Sequence, residues 1–185
     1  MFQNLFGRKD EEKNESHLFR DRTYMTSDAK LKACADLAKK DERFVFIAWF
    51  SDTAKKFRDF FAQHGINENR ITEAGKLHAS QLIAHTPVFV EHYPLHSKEE
   101  ALVQNWEHKD VLVYSALDEP LFRHFGSEKV IPMMKIMGMK ESEAIDHPMV
   151  TKSILSGQQK LAGQVIIEQP AASQSEWMLR NIRKT

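Results

Sequence analysis

The sequence predicts an α/β fold: a mostly parallel sheet flanked by helices, followed by a C-terminal helical extension. Three observations carry that prediction. The runs FVFIAWF (44–50), PVFVEHY (87–93) and DVLVYSA (110–116) are continuous apolar stretches rich in β-branched and aromatic residues, the pattern of strands buried on both faces. Amphipathic stretches of helical period lie between them, and strands separated by helices of about 8–14 residues make right-handed βαβ units. Past Ser115 the texture becomes mainly helical.

Residues 1–20 read as a flexible arm, because Phe2, Leu5 and Phe6 are followed by the mixed-charge RKDEEKNES, which buries little surface. The same three apolar residues stand at helical spacing, so the arm doubles as a candidate hook for a partner. Thr26, Ser27 and Asp28 cap a helix whose Leu31, Cys34, Leu37 and Ala38 share one face. After strand 44–50, Ser51, Asp52 and Thr53 cap a second helix with Phe57, Phe60, Phe61 and His64 in a stripe, stopped by Gly65. Residues 70–72 read as a short strand and 76–84 as a short helix. Ser97 opens a helix to about Trp106, with Ala101, Leu102, Asn105 and Trp106 as its expected inner face. Pro120 and Pro148 each suit the first turn of a helix, and Gly126 and Gly138 end two of them. The helix from Ser127 carries Val130, Met133, Met134 and Met137, with Met139 just beyond, and the one from Pro148 places Val150, Ile154, Gly157 and Leu161 on one stripe. A strand-like QVIIEQ (164–169) and an amphipathic EWMLRNI complete the chain. The expected organisation is an arm (1–20), an α/β domain (21–117), a helical extension (118–163) and a strand/helix tail (164–185).

Composition narrows function. The 185 residues carry 26 basic and 26 acidic side chains, so no general charge draws the chain to nucleic acid or acidic lipid. Apolar residues, at 42%, suffice for a sizeable core. The single cysteine, Cys34, excludes an internal disulfide and a cysteine-based zinc site, and it sits in an apolar helical stripe as a buried hydrophobe. The longest apolar run, 44–50, is far short of the ~20 residues a membrane helix needs, and the N-terminus has no apolar signal core. A cytoplasmic protein is expected, without membrane insertion.

In an open parallel sheet, ligands sit beyond the carboxyl ends of the strands. The residues falling there are Ser51, Asp52 and Thr53, then Glu91, His92 and His96, then Ser115, Asp118 and Glu119. Acids, imidazoles and hydroxyls at one edge suit general acid–base chemistry, although helix capping accounts for Ser51 and Asp118 whatever the protein does. No metal site is expected: His92 and His96 are separated by Pro94 and no HExxH occurs. The seven glycines allow neither GxGxxG nor GxxxxGK[ST], which excludes a self-contained P-loop ATPase. The methionines Met133, Met134 and Met137 suit either a core or an adaptable contact surface with a protein partner.

SALDEPLFRHFGSEKVIPMMKIMGMKESEAIDHPMVTKSILSGQQKLAGQ (115–164) resembles the stretch of the preprotein translocase ATPase SecA that closes its second motor domain and enters the helical scaffold. The shared features are the S-L-D-E-type turn, FGSE, MGM, I-x-H-P and MVTK-x-I followed by Q-x-K. RTYMTSDAKLKACADLAKK (22–40) and residues 44–66 are similar to the entry and first strand–helix of that domain, and VFVEHYPLH places His96 on the histidine of the family's E-R-H. The resemblance implies a shortened second RecA-like domain, of the P-loop-NTPase type, over about 20–164. The family's arginine-rich segment is replaced: residues 91–110 contain no arginine and no glycine, and Lys98, Glu99, Glu100 and Trp106 stand instead. Acidic groups oppose the transferring phosphoryl, so no catalytic residue of the family carries over.

The resemblance thus implies a non-catalytic interaction module needing no cofactor. Its expected partner is a protein of the export machinery, an exported protein or a second copy of itself, contacted through Phe2, Phe6, Met133, Met134 and Met137. The alternative is a nucleotide or small-molecule binding protein or enzyme using the strand-end site around Asp52, Glu91, His92 and Asp118, which would leave weak residual nucleotide binding.

Overall fold

The computed structural model describes residues 18–182. Five strands, β1 (Leu18–Tyr24), β2 (Phe44–Ala48), β3 (Ile71–Glu73), β4 (Thr86–Phe89) and β5 (Asp110–Ala116), form one all-parallel sheet in the order β1-β5-β4-β2-β3. Seven α-helices accompany them: α1 (Ser27–Lys40), α2 (Ser51–Gln63), α3 (His96–Val103), α4 (Pro120–His124), α5 (Val130–Ile136), α6 (Pro148–Ala162) and α7 (Gln174–Asn181). This is the predicted α/β class, with the helical extension following the last strand.

Helices cover both faces of the sheet. On one face, Leu31 and Cys34 of α1 and Phe57 and Phe61 of α2 pack on Phe46, Val88 and Tyr114. On the other, Val103 of α3 packs with Ile47, Phe89, Val111 and Val113, and α6 lies along β1 and α3. Burial on both sides explains why the central strands read as unbroken apolar runs. A third cluster, Phe50, Leu95 and Trp177, sits over the carboxyl ends of the strands.

The N-terminal strand β1 begins inside the stretch expected as an arm. Its sequence, LFRDRTY, hides the pattern because it is an edge strand, with β5 as its one strand neighbour and a single antiparallel bridge from Thr23 to Ile145 on the other side, and its one deeply buried acid, Asp21, is neutralised by His92. The expected helix over 76–84 resolves into two 3-10 turns, Ala74–Lys76 and Ala79–Leu82. The inner face of α3 is Glu99 and Val103, with Ala101 exposed, since Glu99 turns inward to meet His92. QVIIEQ forms no strand; Ile166 and Ile167 face solvent, so the apolar run that read as a strand has no sheet to pack on. Residues 1–17, which include Phe2, Leu5 and Phe6, lie outside the described residues.

Candidate functional site

Two helix starts define the strand-end edge. At α1, Thr26 accepts from Ala29 N–H at 3.2 Å, while Asp118, from the turn after β5, accepts from Ser27 N–H at 3.0 Å and from the Ser27 hydroxyl at 2.6 Å. At α2 no residue of the helix caps its own end. Glu91, just past β4, does so instead: it accepts from Trp49 N–H at 2.9 Å, Phe50 N–H at 3.1 Å and the Thr53 hydroxyl at 2.8 Å. The exposed N–H groups and positive dipole ends that attract anions are thus answered by the chain's own carboxylates.

Between them lies Lys30, 4% exposed, which donates to the Val90 carbonyl and to the Glu119 carboxylate. Burial opposes its charge, but Glu119 and then Glu91 outweigh that cost and hold the ammonium protonated. Burial pushes Glu91 up to about 7, with Lys30 pulling down and Glu119 pushing up. One cation faces two buried carboxylates, so the group retains a proton close to neutrality. A cavity of about 180 Å³ opens here, lined by Lys30, Thr53, Glu91, Asp118, Glu119 and Gln174. It shares Ser27, Lys56 and Asp118 with an outer groove of about 680 Å³ bordered by Asp28, Asp36, Arg123 and Glu141.

The tail roofs this edge. Trp177 is fully buried against Phe50 and Tyr93, and its indole N–H donates to Glu168 at 2.9 Å. Gln174 accepts from Leu121 N–H at 2.7 Å and donates to the His92 carbonyl at 3.0 Å. Asp52 N–H donates to the Ala172 carbonyl at 3.0 Å.

The eight strand-end candidates therefore separate. Thr53, Glu91 and Asp118 share the cavity. Ser51 and Asp52 are exposed on the first turn of α2, tied to the tail through Ala172. Ser115 is buried in the sheet, sharing a 3.0 Å hydrogen bond with the Thr23 hydroxyl. His92 and His96 belong to a different cluster. His92 donates to Asp21 at 2.8 Å and Glu99 at 3.0 Å; Glu99 also receives Tyr93 N–H at 2.8 Å, His96 at 3.1 Å and the Gln158 amide at 2.9 Å. Burial works against the His92 charge, yet Glu99 and Asp21 raise it to about 10; burial likewise works against the Glu99 carboxylate, which His92 and His96 hold at about 2. This is a buried ion network tying β1 to α3 and α6.

Sequence reasoning missed Lys30, Glu99, Gln158, Gln174 and Trp177, and it noted Glu119 without assigning it a partner. Lys30 left a signal: it stands four residues before Cys34 and eight before Ala38, in line with the buried stripe of α1. Among the described residues, no group of three or more His, Cys, Asp or Glu is placed to hold a metal ion, and no helix is long and apolar enough to cross a membrane.

The helical extension offers a different surface. Met133 and Met137 are 61% and 83% exposed, Met134 is half-buried, and Phe125, Val130, Ile136 and Met149 also face solvent. Beside them runs an apolar groove of about 280 Å³ lined by Leu121, Phe122, Phe125, Val130, Met149 and Ile154. The Phe125 ring rests on Gly157, where an added Cβ would come within 2.9 Å of it.

No family model matches the chain. A stretch of 48 residues, 26% of the chain, is 54% identical to protein translocase subunit SecA of Acidithiobacillus ferrooxidans, and a stretch of 52 residues, 28% of the chain, is 46% identical to the same subunit of an Anaeromyxobacter species. The chain spans 5% and 6% of the length of these curated relatives. About a quarter of this chain is therefore a SecA-related region, similar to part of a much longer protein.

Proposed function

We propose that this chain is a non-catalytic relative of the second RecA-like motor domain of SecA, serving as a cytoplasmic protein-interaction module connected with protein export. In this reading residues 21–117 are the degenerate motor domain, 118–163 carry the contact face, and 164–185 form the tail that covers the strand ends. The partner is another protein of the export machinery; no cofactor is required. The SecA-related stretch supports the export connection.

The observation that carries the reading is the state of the strand-end edge. Splitting a triphosphate needs cationic groups around the transferring phosphoryl. Here the buried Lys30 is spent on Glu119 and a carbonyl, the helix starts hold Asp118 and Glu91, and the tail lies above them. Meanwhile the extension leaves a run of large apolar side chains in water, the mark of a contact surface.

Two measurements test this. Purified chain with ATP and magnesium should release phosphate no faster than buffer, and turnover abolished by Glu91→Gln would overturn the reading. Capture from native cytoplasm should enrich an export-machinery protein that the Met133→Lys/Met137→Lys double variant loses. Both side chains face solvent, so the charges leave folding intact. Capture indifferent to the double variant removes the contact face from the proposal.

A second reading, a small-molecule binder, is favoured by the cavity that opens beside Glu91. His92 is no probe of it, because His92 lies in the other cluster. A ligand-induced rise in Tm cancelled by Glu91→Gln supports this reading; a flat response across nucleotides and metabolites removes it.

A further inference from the structure

We propose that the cavity between β1, α3 and α6 binds a small primary alkylammonium, its head held by Asp21 and Gln158 and its stem laid against Phe19, Ile154 and Leu155. The site is separate from the strand-end cavity and from the exposed methionines, so it stands whichever reading of those holds.

The cavity measures about 270 Å³ and has the buried ion network as its floor. The N–H groups of that network are already given away. His92 donates to Asp21 and Glu99, His96 reaches Glu99, and the Gln158 amide donates to the Tyr93 carbonyl at 2.7 Å and to Glu99 at 2.9 Å. Two acceptors are left over. Asp21, 4% exposed, has no hydrogen-bond partner for Oδ2, and Gln158, 1% exposed, has none for Oε1. Both side chains line the cavity. Buried acceptors without a donor are rare, because the water they lost has not been replaced.

Spare acceptors beside spent donors fix the chemistry of the occupant: it brings N–H groups and no lone pair, as an ammonium does. Charge agrees. Three carboxylates, Asp21, Glu99 and Glu100, line the cavity with two imidazoles, His92 and His96. Even with both imidazoles protonated the walls are net negative, so a cation gains where an anion loses. Among the described residues no such group is placed to hold a metal ion, which leaves an organic cation. Phe19, Ile154 and Leu155 supply the apolar surface for its stem. Phe19, His96 and Leu155 are half-buried and form the rim, where the Phe19 and His96 rings meet edge to face at 5.4 Å. The two unpaired oxygens are shut off from bulk water, so the head enters as a rim side chain turns aside, a rotamer change common on binding.

Thermal unfolding of the full chain with n-butylammonium chloride tests the site. A ligand of this size that fits well reaches a Kd of about 1 mM, and at roughly 10 mM it should raise Tm by about 3–6 °C over equal sodium chloride. Butyltrimethylammonium keeps the charge and the stem but has no N–H, and it should give no rise. An equal rise with both cations overturns the proposal; so does no rise with either, which leaves the two oxygens to buried water. Leu155→Trp fills the mouth and should abolish the rise. Glu100→Gln, at an exposed position that leaves folding intact, should weaken binding about two- to fivefold. Asp21→Asn keeps the shape, removes the charge and should raise Kd at least about tenfold. Where Asp21→Asn does not fold, the two rim variants carry the test. A rise that neither rim variant alters puts the amine elsewhere and removes this site.

Discussion

Glu91 receives two backbone N–H groups and the Thr53 hydroxyl, and burial pushes its carboxyl up to about 7 against the pull of Lys30. The folded chain therefore binds this proton more tightly than the unfolded chain, whose carboxyl titrates near 4.5, and stability falls as pH rises between those values. His92 acts in a higher window. Its charge is held to about 10 against an ordinary 6.5, so its contribution is complete below 6.5 and disappears as pH climbs through 10. Glu99, held at about 2, contributes above 4.5 and loses that contribution as pH drops. Together these groups place maximal stability at about pH 4.5, with each descending slope no steeper than about 1.4 kcal/mol per pH unit per group. Urea unfolding should show Glu91→Gln flattening the decline between pH 4.5 and 7 while the decline above 7 persists. A profile unaltered by the substitution contradicts this assignment. The sequence placed Glu91 and Asp118 at the correct edge, because both follow buried strands. It gave no sign that His92 would turn away, since its partners Asp21 and Glu99 sit 71 and 7 residues distant.

Arg70 organises a junction between elements. Its guanidinium donates to the carbonyls of Ala38 at 2.6 Å, Asp41 at 2.7 Å and Phe44 at 2.9 Å, satisfying the end of α1 and fixing the entry to β2. Arg70→Ala should cost about 2–3 kcal/mol in unfolding free energy, because it orphans several acceptors at once. Arg70→Lys should recover little of it, as one ammonium cannot span the fork. Full rescue by lysine would show that charge alone matters at this site. Elements with strong local signals were legible: α1 with its Thr26 cap, α2 ended by Gly65, and β5 over 110–116 matched expectation closely. Misread elements were those that non-local contacts decide. β1 is made a strand by pairing with β5 and by its buried ion pair, and α3 buries Glu99 where a hydrophobicity pattern selects Ala101 and Leu102.

Across the whole molecule, the tail binds the α/β layer to the extension. Trp177 fills the space over Phe50 and Tyr93, and Gln174 bridges the start of α4 to the segment after β4. Trp177→Ala should cost about 3–5 kcal/mol, seen as a lowered urea midpoint, since it opens a large cavity and frees a buried indole partner. A loss under about 1 kcal/mol would mean the tail rests on the edge without holding it. With the roof so loosened, ATP should still fail to raise Tm, because Asp118 and Glu91 continue to occupy the helix starts. By itself, the sequence determined the layered α/β class, the buried central strands and the likeness of about a quarter of the chain to SecA, all properties set by local periodicity or by residue identity. Tertiary structure alone decided that the strand-end candidates split between two clusters, that Lys30 and Glu119 meet in the interior, and that the tail closes the edge. Those outcomes depend on which distant charges and rings must be buried together, and the cost of leaving any of them unpaired is paid only once the chain is folded.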